Sequence, residues 1–295
     1  MAPALAIIAA FLYGVSMITA RIGLQDMDTF SGALISMGFS FLGSLLLIIF
    51  WVPIADFADW ALVYFILAGL SGPCIGRFLL FIGINRVGSS IASTLYSIKP
   101  LFSALAAVWI LGENLTTVIG LATVIMVAGL ALVSSKPSAK QDESPWAKKD
   151  LIFPILAGAA YGLAHVFRKI GLNINHEPLM GVAVQNVVAL SISLTMAVFR
   201  KNQRRLAFDH PRAWVLFGLS GIFSVLGQLV LFHALNIGDV VIVSPLSAIS
   251  PLFVIAIAAV FLKKSERVTW ELIFGAILIV GGTILLAIFT DARTR

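Results

Sequence analysis

The chain has 295 residues, of which 60% are hydrophobic and only 12% are charged. A water-soluble domain carries roughly 25% charged residues, so this composition excludes a soluble enzyme, a nucleic-acid-binding module and a disordered protein. The net charge of +6 is typical of a membrane protein with basic cytoplasmic loops. We therefore expect a multi-pass protein of the cell (inner) membrane whose surroundings are the lipid bilayer.

Ten apolar runs follow one another along the chain, and each is long enough to cross a bilayer as a helix. The predicted spans are 4–21, 31–52, 60–82, 88–111, 117–134, 151–168, 179–199, 213–235, 240–262 and 270–289. The pattern predicts an all-α fold with a first five-helix unit at 1–135, a polar linker at 136–150 and a second five-helix unit at 151–290.

Short sequence patterns of the first half recur in the same order in the second half. Each half has an odd number of predicted helices, so the second copy must enter the membrane from the opposite face. Such inverted repeats are a design of secondary transporters. The recurring segments are Tyr13-Gly14 with Tyr161-Gly162, Pro100-Leu101-Phe102 with Pro251-Leu252-Phe253, and Glu113 and Thr116 with Glu266 and Thr269.

These motifs resemble those of the EamA family of the drug/metabolite transporter superfamily. The shared pattern is an aromatic-Gly pair in the first helix, a proline within the fourth, and a Gly-Glu-x-x-Thr turn before a glycine-rich fifth helix. The turn is Gly112-Glu113-Asn114-Leu115-Thr116 here, whereas the second half has Ser265 before Glu266. The resemblance implies ten helices around a central cavity and transport of small metabolites by alternating access.

The resemblance also bears on orientation. Most of the 20 basic residues lie in loops after odd-numbered spans, which favours termini outside the cell. The family usually has its termini inside, so both orientations remain open. The predicted loops 53–59 and 200–212 would lie on opposite faces in either case.

Lys99 is the strongest candidate for a binding residue. It lies near the middle of the fourth span, roughly 16–18 Å from either end at 1.5 Å per residue, beyond the reach of ordinary snorkelling. Carbonyl groups freed by Pro100 are the alternative explanation for its position. Its counterpart in the second half is Ser250, so a kinked helix of this kind does not itself need the charge.

The sixth span carries a polar stripe at helical spacing, which consists of Tyr161, His165 and Arg168. Tyr13 is the counterpart of Tyr161 in the first span. A histidine titrates near neutral pH, so we expect His165 to couple transport to protons. Arg168 would lie at the end of the predicted span, where snorkelling to the surface is an alternative explanation.

Five further polar residues within the spans are candidates for substrate contact. For arginine the alternative is snorkelling, for the two amides it is bonding between helices, and for serine it is a bond to its own helix. These candidates are Arg77, Tyr96, Gln185, Asn186 and Ser247.

The basic candidates and the lack of acidic residues in the middle of the spans favour an anionic substrate. We expect a secondary transporter for a small anionic or zwitterionic metabolite, such as an amino acid, an organic acid or a phosphorylated compound. A multidrug or cation exporter is an alternative that would need a buried acid. A channel is disfavoured because no element repeats around a pore. An intramembrane enzyme is a more distant alternative, suggested only by Gly69-Leu-Ser-Gly72 and Gly218-Leu-Ser-Gly221.

We expect no catalytic residues, cofactor, metal or nucleic-acid partner. A small molecule and lipid are the expected partners, with a proton as a possible coupling ion. Both a monomer and a homodimer are compatible with the sequence.

Overall fold

A computed structural model describes residues 1–51, 60–87, 89–134, 147–199, 210–261 and 270–294, and all regular elements within these ranges are helical. The α-helices are α1 (Ala2–Gly23), α2 (Thr29–Trp51), α3 (Ala61–Gly69), α4 (Arg77–Val87), α5 (Ser89–Tyr96), α6 (Lys99–Ala106), α7 (Thr117–Ser134), α8 (Ile152–Ile174), α9 (Pro178–Phe199), α10 (Pro211–Ile237), α11 (Val240–Ser247), α12 (Ser250–Phe261) and α13 (Trp270–Thr294). Two π-helical segments, Leu70–Gly76 and Ala107–Leu111, follow α3 and α6, and a 3₁₀ turn, Lys148–Leu151, precedes α8.

Within the described ranges, seven helices are long and apolar enough to cross a membrane. Shorter apolar helices lie at Thr117–Val133, Val240–Val254 and Ile273–Leu286. The described part of the chain is therefore all-helical, with several helices suited by length and apolar character to a bilayer. Most of the predicted linker, at 136–146, lies outside the described residues, as do the predicted loops at 53–59 and most of 200–212.

One predicted span end is wrong. The sixth predicted span ends at residue 168, but α8 continues to Ile174. The prediction ended the sixth span there because Arg168 and Lys169 are charged. In the structure their charged groups form hydrogen bonds with α9 and α10, so the helix continues past them. The third predicted span, 60–82, agrees with the apolar stretch Ala61–Leu80, beyond which the helix continues to Val87.

Two helical stretches are interrupted ahead of a proline. Helix α5 ends at Tyr96 and α6 begins at Lys99, while α11 ends at Ser247 and α12 begins at Ser250. A proline ring clashes with the carbonyl four residues earlier and offers no N–H to it. Four residues before Pro100 and Pro251 are Tyr96 and Ser247, so each break lies where the proline requires it.

The first helix of each predicted half packs among helices of the other half. Helix α1 lies against α10 and α12, and α8 lies against α3, α4 and α6. Helices α7 and α13 pack against each other. The two halves are thus interlocked and do not lie side by side as separate bundles.

Glycines make this interlocked packing possible. A Cβ atom on Gly14 would lie 2.8 Å from Cβ of Phe253, and one on Gly162 would lie 2.8 Å from the backbone nitrogen of Ser103. The preceding tyrosines also cover glycines of the other half. Cβ atoms at Gly227 and Gly76 would lie 3.2 and 2.6 Å from the rings of Tyr13 and Tyr161. The recurring Tyr-Gly pair is therefore a helix-packing motif.

We expect Gly162→Ala to destabilise the fold by about 1–3 kcal/mol, because the added methyl group meets backbone atoms that cannot move aside. Thermal unfolding in detergent measures the change. Gly120→Ala is the matched control, since a Cβ atom there has no neighbour within 4 Å. Equal melting temperatures for the two variants would contradict the close-packing role of Gly162.

Helix α10 has 27 residues and is about 40 Å long, so its ends mark the two faces of the molecule. At the Pro211 face, Arg212 lies 4.0 Å from Asp26, which follows α1. At the Ile237 face, the carboxylate of Glu113 accepts the backbone N–H groups of Val240 and Val241, both at 2.9 Å. Glu113 thereby caps α11 and joins the two halves at this face.

The turn before Glu113 has a specific backbone requirement. Gly112 has φ +68°, a left-handed conformation that glycine adopts without strain. Close to the cap, the ammonium of Lys169 donates to the carbonyls of Leu235 and Gly238 at 2.7 and 3.0 Å, at the end of α10. The Gly-Glu pair of the sequence motif is therefore part of a connection that closes the Ile237 face.

The stability contributed by Glu113 should depend on pH. Burial raises the pKa of its carboxyl group, and the N–H groups of Val240 and Val241 partly oppose that rise. A carboxyl group with a raised native pKa contributes stability below its unfolded pKa and loses it as the pH rises through the native value. The melting temperature of the wild type minus that of Glu113→Gln should therefore fall as the pH rises above the ordinary glutamate pKa of about 4.3. A difference that grows above this pH would contradict the assignment.

Candidate functional site

A cavity of about 280 Å³ lies between α1, α2, α9, α10 and the stretch that joins α3 to α4. Near the Pro211 face its wall includes Leu24 and Phe217, and deeper in the molecule it includes Arg77 and Gln228. The cavity therefore extends from the Pro211 face towards the middle of α10. Glu113 and Lys169 hold the opposite face together.

Arg77 supplies the positive charge of the cavity wall. It directly follows the π-helical segment Leu70–Gly76, within the helical stretch that runs from Ala61 to Val87. Its side chain is half-buried, and no residue in the described ranges forms a hydrogen bond or ion pair with its guanidinium. Arg77 is thus deeper in its helix than the sequence predicted, and its donors are available to a bound molecule.

Gln185 and Asn186 of α9 also line the cavity. Both are buried, with 3% and 6% of their surface exposed. Asn186 donates a long hydrogen bond of 3.5 Å to the carbonyl of Ser40 on α2. These amides therefore join helices and face the cavity at the same time.

Arg168 is buried, with 5% of its surface exposed, and does not snorkel to a membrane surface. Its Nε donates to Oε1 of Gln185 at 2.8 Å, and its guanidinium carbon lies 5.5 Å from the centre of the Phe232 ring. The side-chain nitrogen of Gln185 donates to Oε1 of Gln228 at 3.3 Å. The side-chain nitrogen of Gln228 in turn donates to Oγ of Ser224, also at 3.3 Å. A chain of hydrogen bonds thus leads from a buried cation to the cavity wall.

Aromatic and cationic side chains from different helices meet near this chain. The rings of Tyr96 and Tyr161 pack edge to face with centres 5.4 Å apart. The ammonium of Lys99 lies 5.9 Å from the centre of the Tyr96 ring and forms no hydrogen bond to any described residue. Arg168 acts electrostatically on both tyrosines and on Tyr13. The structure therefore brings five of the predicted site residues into one cluster.

Of the ten predicted site residues, Arg77, Gln185 and Asn186 belong to the described cavity wall, whereas the five residues of this cluster do not, and neither do His165 and Ser247. His165 is 2% exposed, and its Nδ1 has no hydrogen-bond partner among the described residues, although Arg168 and Lys99 are near enough to act on it electrostatically. Ser247 is 5% exposed and donates to the carbonyl of Ser244 in its own helix. Ser247 thus fits the alternative of a bond within its own helix better than a role in binding.

Sequence reasoning missed a set of small polar residues in the cavity wall. All but Ser16, which belongs to α1, recur at a spacing of four residues along α2 or α10, which places them on one face of each helix. This spacing was visible in the sequence, but serine is common in membrane helices and gives little signal alone. The missed residues are Ser16, Ser36, Ser40, Ser220, Ser224 and Gln228.

The two serines of the Gly-Leu-Ser-Gly segments have ordinary structural bonds. The hydroxyl of Ser71 donates to the carbonyl of Leu67 at 2.8 Å, and that of Ser220 donates to the carbonyl of Ser16 at 2.9 Å. Within the described residues, no group of three histidine, cysteine or acidic side chains could hold a metal ion.

The sequence profile of the EamA-like transporter family matches residues 1–135 and 148–288, so the match covers both predicted halves. An uncharacterized protein of Methanocaldococcus jannaschii is 33% identical over 138 residues, which are 47% of this chain and 96% of that protein. An uncharacterized transporter in the cobO 3′ region of Sinorhizobium sp. is 28% identical over 137 residues, which are 46% of this chain and 94% of that protein.

These two relatives are similar to a stretch about as long as one half of the chain. A solved crystal structure that is 14% identical in sequence superposes with a TM-score of 0.82 over 99% of both chains. At this identity the likeness concerns the fold alone.

Proposed function

This chain belongs to the EamA-like transporter family, of the drug/metabolite transporter superfamily, and we propose that it is a secondary transporter for a small anionic or zwitterionic metabolite. The observation that carries the proposal is Arg77, a cation in the cavity wall without a bonding partner among the described residues. Amino acids, organic acids and phosphorylated compounds have the required charge. The cell (inner) membrane is the proposed location.

A positive charge within a membrane is costly, so it needs a compensating interaction. Arg168 has such an interaction with Gln185 and Phe232, whereas Arg77 and Lys99 have no hydrogen bond within the described part of the chain. A guanidinium presents its donors in a planar fork that matches a carboxylate or phosphate. A bound oxyanion would therefore supply the compensation that Arg77 lacks.

The cavity wall also argues against the alternative of a multidrug or cation exporter. Such a transporter needs an acidic side chain to attract its substrate, and no aspartate or glutamate belongs to the described wall. Serine, asparagine and glutamine side chains provide the remaining polar surface. This wall suits an anion with further polar groups.

We propose that the chain crosses the membrane ten times as two inverted five-helix repeats and works by alternating access. The matched breaks before Pro100 and Pro251, and the interlocked positions of α1 and α8, support this arrangement. The cavity reaches the Pro211 face, while the cap of Glu113 on α11 closes the Ile237 face. Access from the other side would require this connection to open.

Removal of the charge at Arg77 should abolish anion transport. We expect Arg77→Gln to lower uptake at least about tenfold, since hydrogen bonds to a charged group contribute roughly 1.5–3 kcal/mol. Counterflow uptake of labelled organic anions into liposomes measures the effect, and Lys99→Met should also reduce it. Arg86→Gln is the control, because Arg86 is exposed and pairs with Asp150 at 2.8 Å, away from the cavity. Unchanged uptake by Arg77→Gln, or uptake of cations only, would refute the anion assignment.

We also propose that a proton is the coupling ion and that His165 carries it. A protonated imidazole near Arg168 and Lys99 would be stabilised by a bound anion, so anion binding should take up a proton. The affinity of the wild type should then weaken as the pH rises from about 5 to 8, and this dependence should be absent in His165→Gln. If the pH profiles of the two proteins superimpose, His165 is a packing residue.

A further inference from the structure

We propose that the oxyanion group of the substrate binds between Arg77 and the hydroxyl of Ser224, and that buried Arg168 orients this hydroxyl through Gln185 and Gln228. This inference rests on the proposed transport of an anion. It assigns binding of a carboxylate or phosphate to a serine that sequence reasoning missed. It also assigns a role to Arg168 that does not require contact with the substrate.

The direction of the hydrogen-bond chain is fixed by chemistry at its buried end. A guanidinium can only donate, so the atom of Gln185 that faces Nε of Arg168 at 2.8 Å must be its carbonyl oxygen. The amide nitrogen of Gln185 must then point the other way, towards Gln228. This nitrogen also can only donate, so Oε1 of Gln228 accepts from it. Each amide orientation follows from the one before it.

The last group in this chain of hydrogen bonds is the hydroxyl of Ser224. The amide nitrogen of Gln228 donates to Oγ of Ser224 at 3.3 Å, so that oxygen acts as an acceptor there. Within the described residues the hydroxyl proton of Ser224 has no acceptor. Ser224 is half-buried in the cavity wall, so its proton is available to a bound molecule.

Other serines of the cavity wall use their protons differently. The hydroxyl of Ser16 donates to the carbonyl of Ser220 at 2.8 Å, and Ser220 returns the bond to the carbonyl of Ser16. Ser40 donates to the carbonyl of Gly221 at 2.9 Å. These serines hold helices together, which separates them from Ser224.

The chain of hydrogen bonds extends the electrostatic influence of Arg168 to the cavity. Aligned hydrogen bonds polarise one another in a low-dielectric interior, so the charge strengthens Ser224 as a donor. Arg77 offers charged donors from another helix of the same cavity. An oxyanion has several acceptor sites, so it can accept from Arg77 and Ser224 together. A cation gains nothing from either group.

The experiment measures the affinity of the purified full-length protein for two simple oxyanions, acetate and inorganic phosphate, by isothermal titration in detergent. The comparison of the two probes shows whether the site prefers a carboxylate or a phosphate. Ser224→Ala and Gln228→Leu should each weaken binding of the preferred probe about tenfold. The double variant should bind no more weakly than Ser224→Ala alone, because Gln228 acts on the anion only through the Ser224 hydroxyl.

Two further variants separate orientation from mere packing. In Gln228→Glu the new carboxylate accepts both from Gln185 and from the Ser224 hydroxyl, so the hydroxyl turns away from the cavity and binding should be lost. Ser224→Cys keeps the size of the side chain but offers a weak donor, so it should bind weakly even if Ser224→Ala fails to fold. Ser44→Ala is the matched control and should bind within about twofold of the wild type, since Ser44 lies outside the described cavity wall and its hydroxyl donates to the carbonyl of Phe41 in its own helix.

The results distinguish failure of the proposed relay, the series of hydrogen bonds from Arg168 through Gln185 and Gln228 to Ser224, from failure of the proposed function. If the wild type binds an oxyanion and the Ser224 variants bind it equally well, the relay is wrong and the anion assignment stands. Additive losses in the double variant would also refute the relay. If the wild type binds neither acetate nor phosphate saturably, both proposals are wrong.

Discussion

The exchange of first helices between the two halves is the constraint on which the other features depend. Helix α1 fills a groove among helices of the second half, and α8 fills the related groove of the first. Gly14 and Gly162 allow the close approach, and the tyrosine before each covers a glycine across the interface. The cavity lies beside one of these exchanged helices, α1, whose Ser16 lines it and donates to the carbonyl of Ser220 on α10.

Two arginines within the helices show how the fold accommodates positive charge in the apolar environment of a bilayer. Arg168 is compensated by a polar chain and an aromatic ring, so its charge can remain buried. Arg77 faces the cavity, where a ligand can replace the missing partner. The same residue type thus serves two purposes, which differ only in what surrounds the guanidinium.

The sequence predicted the elements that depend on local pattern. The apolar runs and the two proline breaks follow from hydropathy and from the missing proline N–H, so they needed no tertiary information. The end of α8 and the bond between Arg168 and Gln185 depend on residues from separate helices, which a linear reading does not bring together. Ser224 was missed for the same reason, because its free proton results from partners on other side chains.

The cap that Glu113 places on α11 is a bond between the halves that does not involve the linker. Together with the exchanged helices, it gives the chain the character of an intertwined dimer whose two subunits have been fused. A single half would leave the packing surface of its first helix exposed and its Glu113 without a helix to cap. A gene that encoded only one half would therefore have to make a protein that pairs with a second copy before it could fold completely.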